Sequence, residues 1–233
     1  MMLNFNKRIR EIPLKNSSLS GVINSSQINK IIQFESSLER DFIYLLEFDI
    51  YVDKYLEQPL EISYNDTIGN SKKYIPDFAI SYLDDRPNEI IEIKHCSSLQ
   101  EKQEELIPKF RAAEQFCEEN NSIFKVITEE HIRKDKGIEL ENYKFLSRYR
   151  NYFNNLNSNN SVLFTQNSDH LVLYNRMFEF KKCTVKYLID QCTSDFEKKA
   201  ELLFLTWCLV ATNFFSIDFT KKINTNSIIW YNE

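Results

Sequence analysis

The chain predicts a mixed α/β domain followed by a small helical domain closed by a β-hairpin. Three observations carry that expectation. An amphipathic helix, three strand-like segments, a second helix and a further strand follow one another within the first ~130 residues. A polar run, NNLNSNNS at 154–161, interrupts the pattern. After it come three helical patterns and then two short β-type runs.

Each element has its own warrant. Residues 1–30 hold five Lys or Arg against one acid, and residues 31–60 seven acids against two bases. This predicts a basic N-terminal arm over 1–30, with Lys7, Arg8, Arg10 and Lys15 as candidate phosphate contacts, ahead of an acidic segment. From Phe34, apolar residues recur at Leu38, Phe42, Leu45 and Leu46, the stripe of an amphipathic helix that ends near Asp49. Tyr55 to Tyr64 and Lys73 to Leu83 are rich in β-branched and aromatic residues and are bounded by Asn-Asp and Gly-Asn turn signals, so they read as a hairpin. Glu89 to His95 is a third strand. Leu99 to Glu119 reads as helix with Pro108 as a kink or break, and Ser122 to Thr128 as a short strand. Glu129 to Asn154 continues as helix. The expected divisions are therefore 1–30, 31–133, a connecting helix and linker at 134–160, and a C-terminal domain at 161–233.

In that last domain, His170–Phe180, Val185–Cys192 and Phe196–Phe215 have helical patterning, and Ser216–Phe219 and Ser227–Tyr231 pair across a polar turn. This is the outline of a small winged-helix-like α+β domain, and other three-helix bundles fit nearly as well. Leu202–Phe215, with Trp207, Phe214 and Phe215, reads as its core helix. Lys144, Arg148 and Arg150 alternate with Tyr143, Phe145, Tyr149 and Tyr152. Such a helix suits a phosphate backbone, or equally a partly buried face with solvated bases.

Composition excludes several classes. Of 233 residues 42% are hydrophobic, enough for a core, and 27% are charged. The three glycines, at 21, 69 and 137, cannot assemble a GxGxxG or GxxxxGK loop, which removes nucleotide-cradling folds. Five cysteines without a CxxC pair suit reduced thiols. No apolar run reaches signal-peptide or membrane-span length, and a soluble, cytoplasmic protein is expected. The net charge of −5 places any DNA affinity in local patches.

The chemistry concentrates in two short segments. In IIEIKH, alternation puts Glu92 and Lys94 on one strand face, about 6–7 Å apart, and Ile91 and Ile93 on the other. Fifteen residues upstream, YIPDF places Asp77 after a proline in an otherwise apolar strand. Pro76 lacks an N–H and interrupts the ladder, exposing Asp77 beside the strand that carries Glu92. Two carboxylates and a lysine at one sheet position invite a divalent cation, and carboxylate oxygens suit Mg²⁺. In FESSLERDF, Glu35 and Glu39 repel at i, i+4, so one of them is expected to face a cation, and Glu39 borders the buried stripe. His95 points away from Lys94 and reads as structural, as does Cys96.

The segments SSLERDFIYLLEFD, YLEQPLEISY, YIPDF and IIEIK, in this order from about Phe34 to Thr128, resemble the N-terminal domain of the TnsA family. These are endonuclease subunits of heteromeric bacterial transposons. The resemblance implies a restriction-endonuclease-like fold of the PD-(D/E)xK type. It implies Glu39, Asp77 and Glu92 as metal ligands, Lys94 as the catalytic lysine, and Gln58 as support for the site. It also implies Mg²⁺, with Mn²⁺ able to substitute, and transposon-end double-stranded DNA cut at the 5′ ends (the non-transferred strand). The implied partners are a TnsB-like transposase and, through the C-terminal domain, a TnsC-like AAA+ ATPase. Two other readings stay open: a stand-alone restriction-type or junction-cleaving nuclease, and a non-cleaving adaptor for DNA or transposase.

Overall fold

The computed structural model describes residues 5–12, 19–150, 152 and 169–231. Lys15 and the expected linker at 154–161 lie outside them. The chain divides into two units, residues 1–137 and 138–233.

The first unit begins with a feature the charge pattern hides. Instead of a free arm, β1 (Gly21–Ser25) and β2 (Lys30–Phe34) form an antiparallel hairpin. Residues 5–12 are built into the unit as well. Phe5 and Ile12 are buried, and the Ile9 N–H donates to the Gln58 carbonyl at 2.9 Å. Arg8 pairs with buried Glu57 at 3.2 Å and donates to the Ile31 carbonyl, while Arg10 pairs with Glu35 at 2.7 Å. Of the basic residues expected to meet DNA here, Arg8 and Arg10 are thus engaged by the protein's own carboxylates, and Lys7 is exposed.

Helix α1 (Ser37–Phe48) starts where Ser36 caps it, accepting from the Glu39 N–H, and buries Leu38, Phe42, Ile43 and Leu46. Phe34, expected to open the helix, instead closes β2. Strand β3 (Val52–Glu57) pairs with β6 (Phe78–Tyr82), and β4 (Ile62–Asn65) with β5 (Ser71–Tyr74). The expected hairpin is therefore present but split into two sheets. The split falls where Gln58 adopts φ of 48° and where Pro76 interrupts the returning strand. At the hairpin tip, Gly69 turns with φ of 87°, its N–H donating to the Asp66 carbonyl.

Strand β7 (Asn88–Ile93) adds antiparallel to β6, and β8 (Ser122–Ile127) adds parallel to β7. The mixed sheet has the order β3-β6-β7-β8. Its parallel pair is joined across α2 (Cys96–Glu101) and α3 (Gln103–Glu119). The helical break lies at Lys102. Pro108 sits inside α3, which continues through it. After β8, a π-helical turn (Glu130–Asp135) replaces the start of the expected continuous helix.

Register decides what shares a face. Leu56 lies opposite Ala79, Ala79 opposite Ile90, and Ile90 opposite Phe124, a lateral row that packs with Phe5 and Cys117. Two residues along, the same row carries Gln58, Asp77 and Glu92, because side chains alternate with a period of two. The functional row thus continues the core row of one sheet face. On the other face Phe78 stacks on Phe42 of α1, with ring centroids 5.6 Å apart.

The second unit holds α4 (Gly137–Arg150), α5 (Asp169–Phe180), β9 (Lys182–Thr184), α6 (Val185–Cys192), α7 (Phe196–Ala211), β10 (Phe215–Ile217) and β11 (Ile228–Tyr231). Thr184 and Asp195 cap α6 and α7 by accepting from Tyr187 and Lys198 N–H groups. Strands β10 and β11 form the expected hairpin, and β9 joins β11 to give the order β10-β11-β9. Strand β9, three residues long, carries too little alternation to be read in advance. Trp207 is buried, as expected of a core helix, but the helix stops at Ala211 rather than at Phe215, so that Phe214 is exposed and Phe215, also buried, opens β10. The aromatics of α4 also turn inward: Phe145 meets Trp207, Tyr149 meets Phe204, and Tyr143 meets Phe219. Arg148 lies over the Phe145 ring, Arg150 donates to the Ala211 carbonyl, and Lys144 is half-buried. Buried Asn142 ties down the β10–β11 connection, donating to the Phe219 and Lys221 carbonyls and accepting from the Ile223 N–H. Among the described residues, no helix is long and apolar enough to cross a membrane.

Candidate active site

Asp77 stands just before β6, where Pro76 breaks the ladder, and its Oδ2 accepts from the Ile93 N–H at 2.7 Å. This bond draws it against the end of β7. Its own carbonyl accepts from the Gln58 N–H at 2.9 Å. Gln58 is buried, and its left-handed backbone turns β3 away from β4 at that point. Gln58 thus meets Asp77 through its backbone N–H.

Glu92, 4% exposed on β7, has its two oxygens engaged separately: the Tyr74 hydroxyl donates to Oε2 at 2.6 Å, and Lys94 Nζ contacts Oε1. Lys94 Nζ also lies 3.9 Å from Asp77 Oδ2 and donates to the Ile93 carbonyl at 3.2 Å. Alternation on the strand therefore delivers Glu92 and Lys94 to one side, as expected, and brings Asp77 to them.

Glu39 occupies the first turn of α1. One of its carboxylate oxygens accepts from the Glu35 N–H at 2.8 Å and the other from Ser36 Oγ at 2.9 Å, a reciprocal cap. The α1 turn is held by Arg133 from the π-helical segment, which donates to buried Asp41 at 2.9 Å and to Ser37 Oγ at 2.9 Å. Glu35 finds its cation in Arg10, away from Lys94.

The electrostatics record an excess of negative charge. Burial, then the Glu92 charge and more weakly Glu39, hold the Asp77 carboxyl well above the usual range, although Lys94 and the Ile93 N–H oppose this. Burial likewise raises Glu39, whose neighbours include the Lys94 charge. For Lys94, burial works against the ammonium, but Asp77 and Glu92 outweigh it and raise the group. One ammonium thus serves three carboxyl groups.

Carboxylate oxygens are the donors a hard divalent cation takes, and a second positive charge would relieve the repulsion that lifts Asp77. The residues therefore fit such an ion in charge and donor chemistry. Among the described residues, no three Asp, Glu, His or Cys side chains are gathered closely enough to hold one as they stand. Lys94 lies on Glu92, and Glu39 is engaged in its cap.

Residues 49–129 match the family model of the TnsA-like endonuclease N-terminal domain. The matched segment is similar to the N-terminal domain of TnsA-like endonucleases. Gln58, Asp77, Glu92 and Lys94 fall inside the match, and Glu39 lies ahead of it. A search of curated proteins finds no match to this chain. The TnsA-like assignment and the mixed sheet flanked by helices agree with a restriction-endonuclease-like fold of the PD-(D/E)xK type.

Sequence reasoning left two contributors without a role. Tyr74 opens the YIPDF motif, yet no local pattern says that its hydroxyl reaches a strand eighteen residues on. Arg133 lies beyond the last strand, and its partner Asp41 is ninety-two residues earlier. His95 stands at the start of α2, with Nδ1 3.6 Å from Glu129 Oε2, and the same carboxylate accepts from the Cys96 N–H. These contacts tie α2 to the end of β8.

Proposed function

We propose that this chain is a Mg²⁺-dependent DNA endonuclease subunit of a heteromeric transposase, cutting the 5′ ends, the non-transferred strand, of a transposon during cut-and-paste transposition. The observation that carries this reading is the convergence of Asp77, Glu92 and Lys94 at one sheet end, inside the TnsA-like segment. Asp77 and Glu92 would hold the ion, with Glu39 as a third acidic ligand and Gln58 supporting Asp77 through its backbone. A divalent ion held there would supply polarisation of the scissile phosphodiester and a water of lowered pKa. Asp77 and Glu92 supply the anionic oxygens, and the Ile93 N–H fixes Asp77. The Lys94 ammonium orients the attacking water or meets charge developing on the phosphate oxygens.

From α5 onward the second unit has the element order helix, strand, helix, helix, strand, strand, with β11 central in its sheet, which supports a winged-helix-like domain. We assign it the TnsC-like AAA+ ATPase as partner, and a TnsB-like transposase as the subunit acting at the 3′ ends. The five cysteines are unpaired thiols, in keeping with a cytoplasmic setting. With net charge −5, and with Arg8 and Arg10 engaged by carboxylates, the chain offers few phosphate contacts of its own. Delivery by a partner follows.

The test is strand-resolved cleavage of end-labelled transposon-end DNA. The chain alone is expected to cut little at physiological salt. Addition of a TnsB-like transposase, with or without the ATPase, is expected to yield 5′-end cuts. Efficient, sequence-specific cleavage by the isolated protein would replace this reading with a stand-alone nuclease, and no cleavage under any combination would favour an adaptor.

A further inference from the structure

The Tyr74 hydroxyl is buried, fixed and aimed at the candidate site, and the mechanism above does not use it. Tyr74 is the last residue of β5, paired with Ile62, and its ring packs with Ile62 and Ala113. Only 7% of it is exposed. That packing leaves the phenol little freedom, and its hydroxyl donates at 2.6 Å to Glu92 Oε2.

We propose that Tyr74 is a positioning residue for the cation-binding carboxylate: by holding Glu92 Oε2 it presents Oε1 toward Asp77 and Lys94. The proposal rests on the reading of Glu92 as a metal ligand. A glutamate has three side-chain torsions, and a donor on one oxygen removes the freedom that would otherwise let both oxygens turn onto the Lys94 ammonium. With Tyr74 in place, one oxygen is committed to the protein interior and the other faces the acidic cluster. Phenylalanine would fill the same volume and leave Oε2 buried without its donor. Partners that orient a metal-binding carboxylate typically matter by ten- to a hundred-fold in metal affinity.

The experiment titrates the full chain with Mn²⁺ by calorimetry, with thermal melting in EDTA as the fold control. Tyr74→Phe is expected to bind Mn²⁺ about ten-fold more weakly or worse, while melting in EDTA within a few degrees of wild type. In partner-supplemented cleavage it is expected to lower kcat with the KM for DNA unchanged. Tyr64→Phe, on the neighbouring strand β4, is expected to bind Mn²⁺ as wild type does. Wild-type Mn²⁺ affinity in Tyr74→Phe, or an equal loss in Tyr64→Phe, would overturn the proposal. Glu92→Gln separates the two levels. If it weakens Mn²⁺ binding while Tyr74→Phe does not, only the role of Tyr74 falls; if it leaves Mn²⁺ binding intact, the reading of Glu92 falls and takes Tyr74 with it.

Discussion

Replacing Asp77 by Asn should make the metal-free protein more stable and the nuclease inactive. The Lys94 ammonium stands 3.9 Å from Asp77 Oδ2. At an effective dielectric constant of about 20, that attraction amounts to about 4 kcal/mol. The Asp77 carboxyl is nonetheless held above its ordinary value, so burial and the charges of Glu92 and Glu39 together outweigh it. Because the raised group binds its proton more tightly in the folded state, it lowers stability as pH rises from the ordinary Asp range through the folded value. Below that window the charge is absent in both states and the penalty vanishes. Asparagine keeps an oxygen to accept from Ile93 N and removes the charge. The expected gain at pH 7.5 in EDTA is on the order of 1 kcal/mol, or roughly 2–4 °C for a chain of this size. The gain should shrink toward zero near pH 4. Differential scanning calorimetry at both pH values measures it. An Asp77→Asn protein that melts below wild type at pH 7.5 would refute the reasoning, since Asp77 would then be a net stabilising partner of Lys94.

Three further outcomes follow from the same contacts. Lys94→Ala should reduce cleavage strongly yet retain Mn²⁺ affinity, because the ammonium acts on water or phosphate; loss of both in calorimetry and cleavage assays would assign Lys94 a structural role. Arg8→Ala takes from Glu57, 1% exposed, its ion-pair partner and leaves it backbone N–H donors, that of Gln33 at 3.0 Å among them. It should cost about 3 kcal/mol in urea unfolding, and an unchanged midpoint would return residues 5–12 to the status of a free arm. Asn142→Ala removes three hydrogen bonds from the β10–β11 connection and should cost about 2–3 kcal/mol. Amide exchange at Ile223 should rise with it, and unaltered protection there would contradict the anchoring role.

The site was legible where its logic is local. Alternation in IIEIK places Glu92 and Lys94 together, and the proline before Asp77 marks the interruption that lets its side chain reach the Ile93 N–H. The hairpin pairing was equally readable, because both of its strands carry their own apolar pattern. What stayed hidden depends on long-range pairing. Arg8 and Arg10 look like a basic arm until Glu57 and Glu35 are brought to them. The first hairpin, β1–β2, is pinned by buried Glu47, which accepts from Ser25 Oγ, the Ser26 N–H and the Tyr55 hydroxyl. No local signal announces that acid as a staple. Pro108 misled: α3 runs through it, and the helical break falls earlier, at Lys102 between α2 and α3.

The central claim, that Asp77, Glu92 and Lys94 form a divalent-cation-dependent cleavage centre, is tested most directly by cleavage of labelled transposon-end DNA. The reaction compares wild type with Glu92→Gln, in partner-supplemented mixtures with Mg²⁺ or EDTA. Wild type with Mg²⁺ should nick the 5′ ends, and both the EDTA reaction and the Glu92→Gln protein should leave the DNA intact. Wild-type cleavage rates from Glu92→Gln, or cleavage that persists in EDTA, would contradict it.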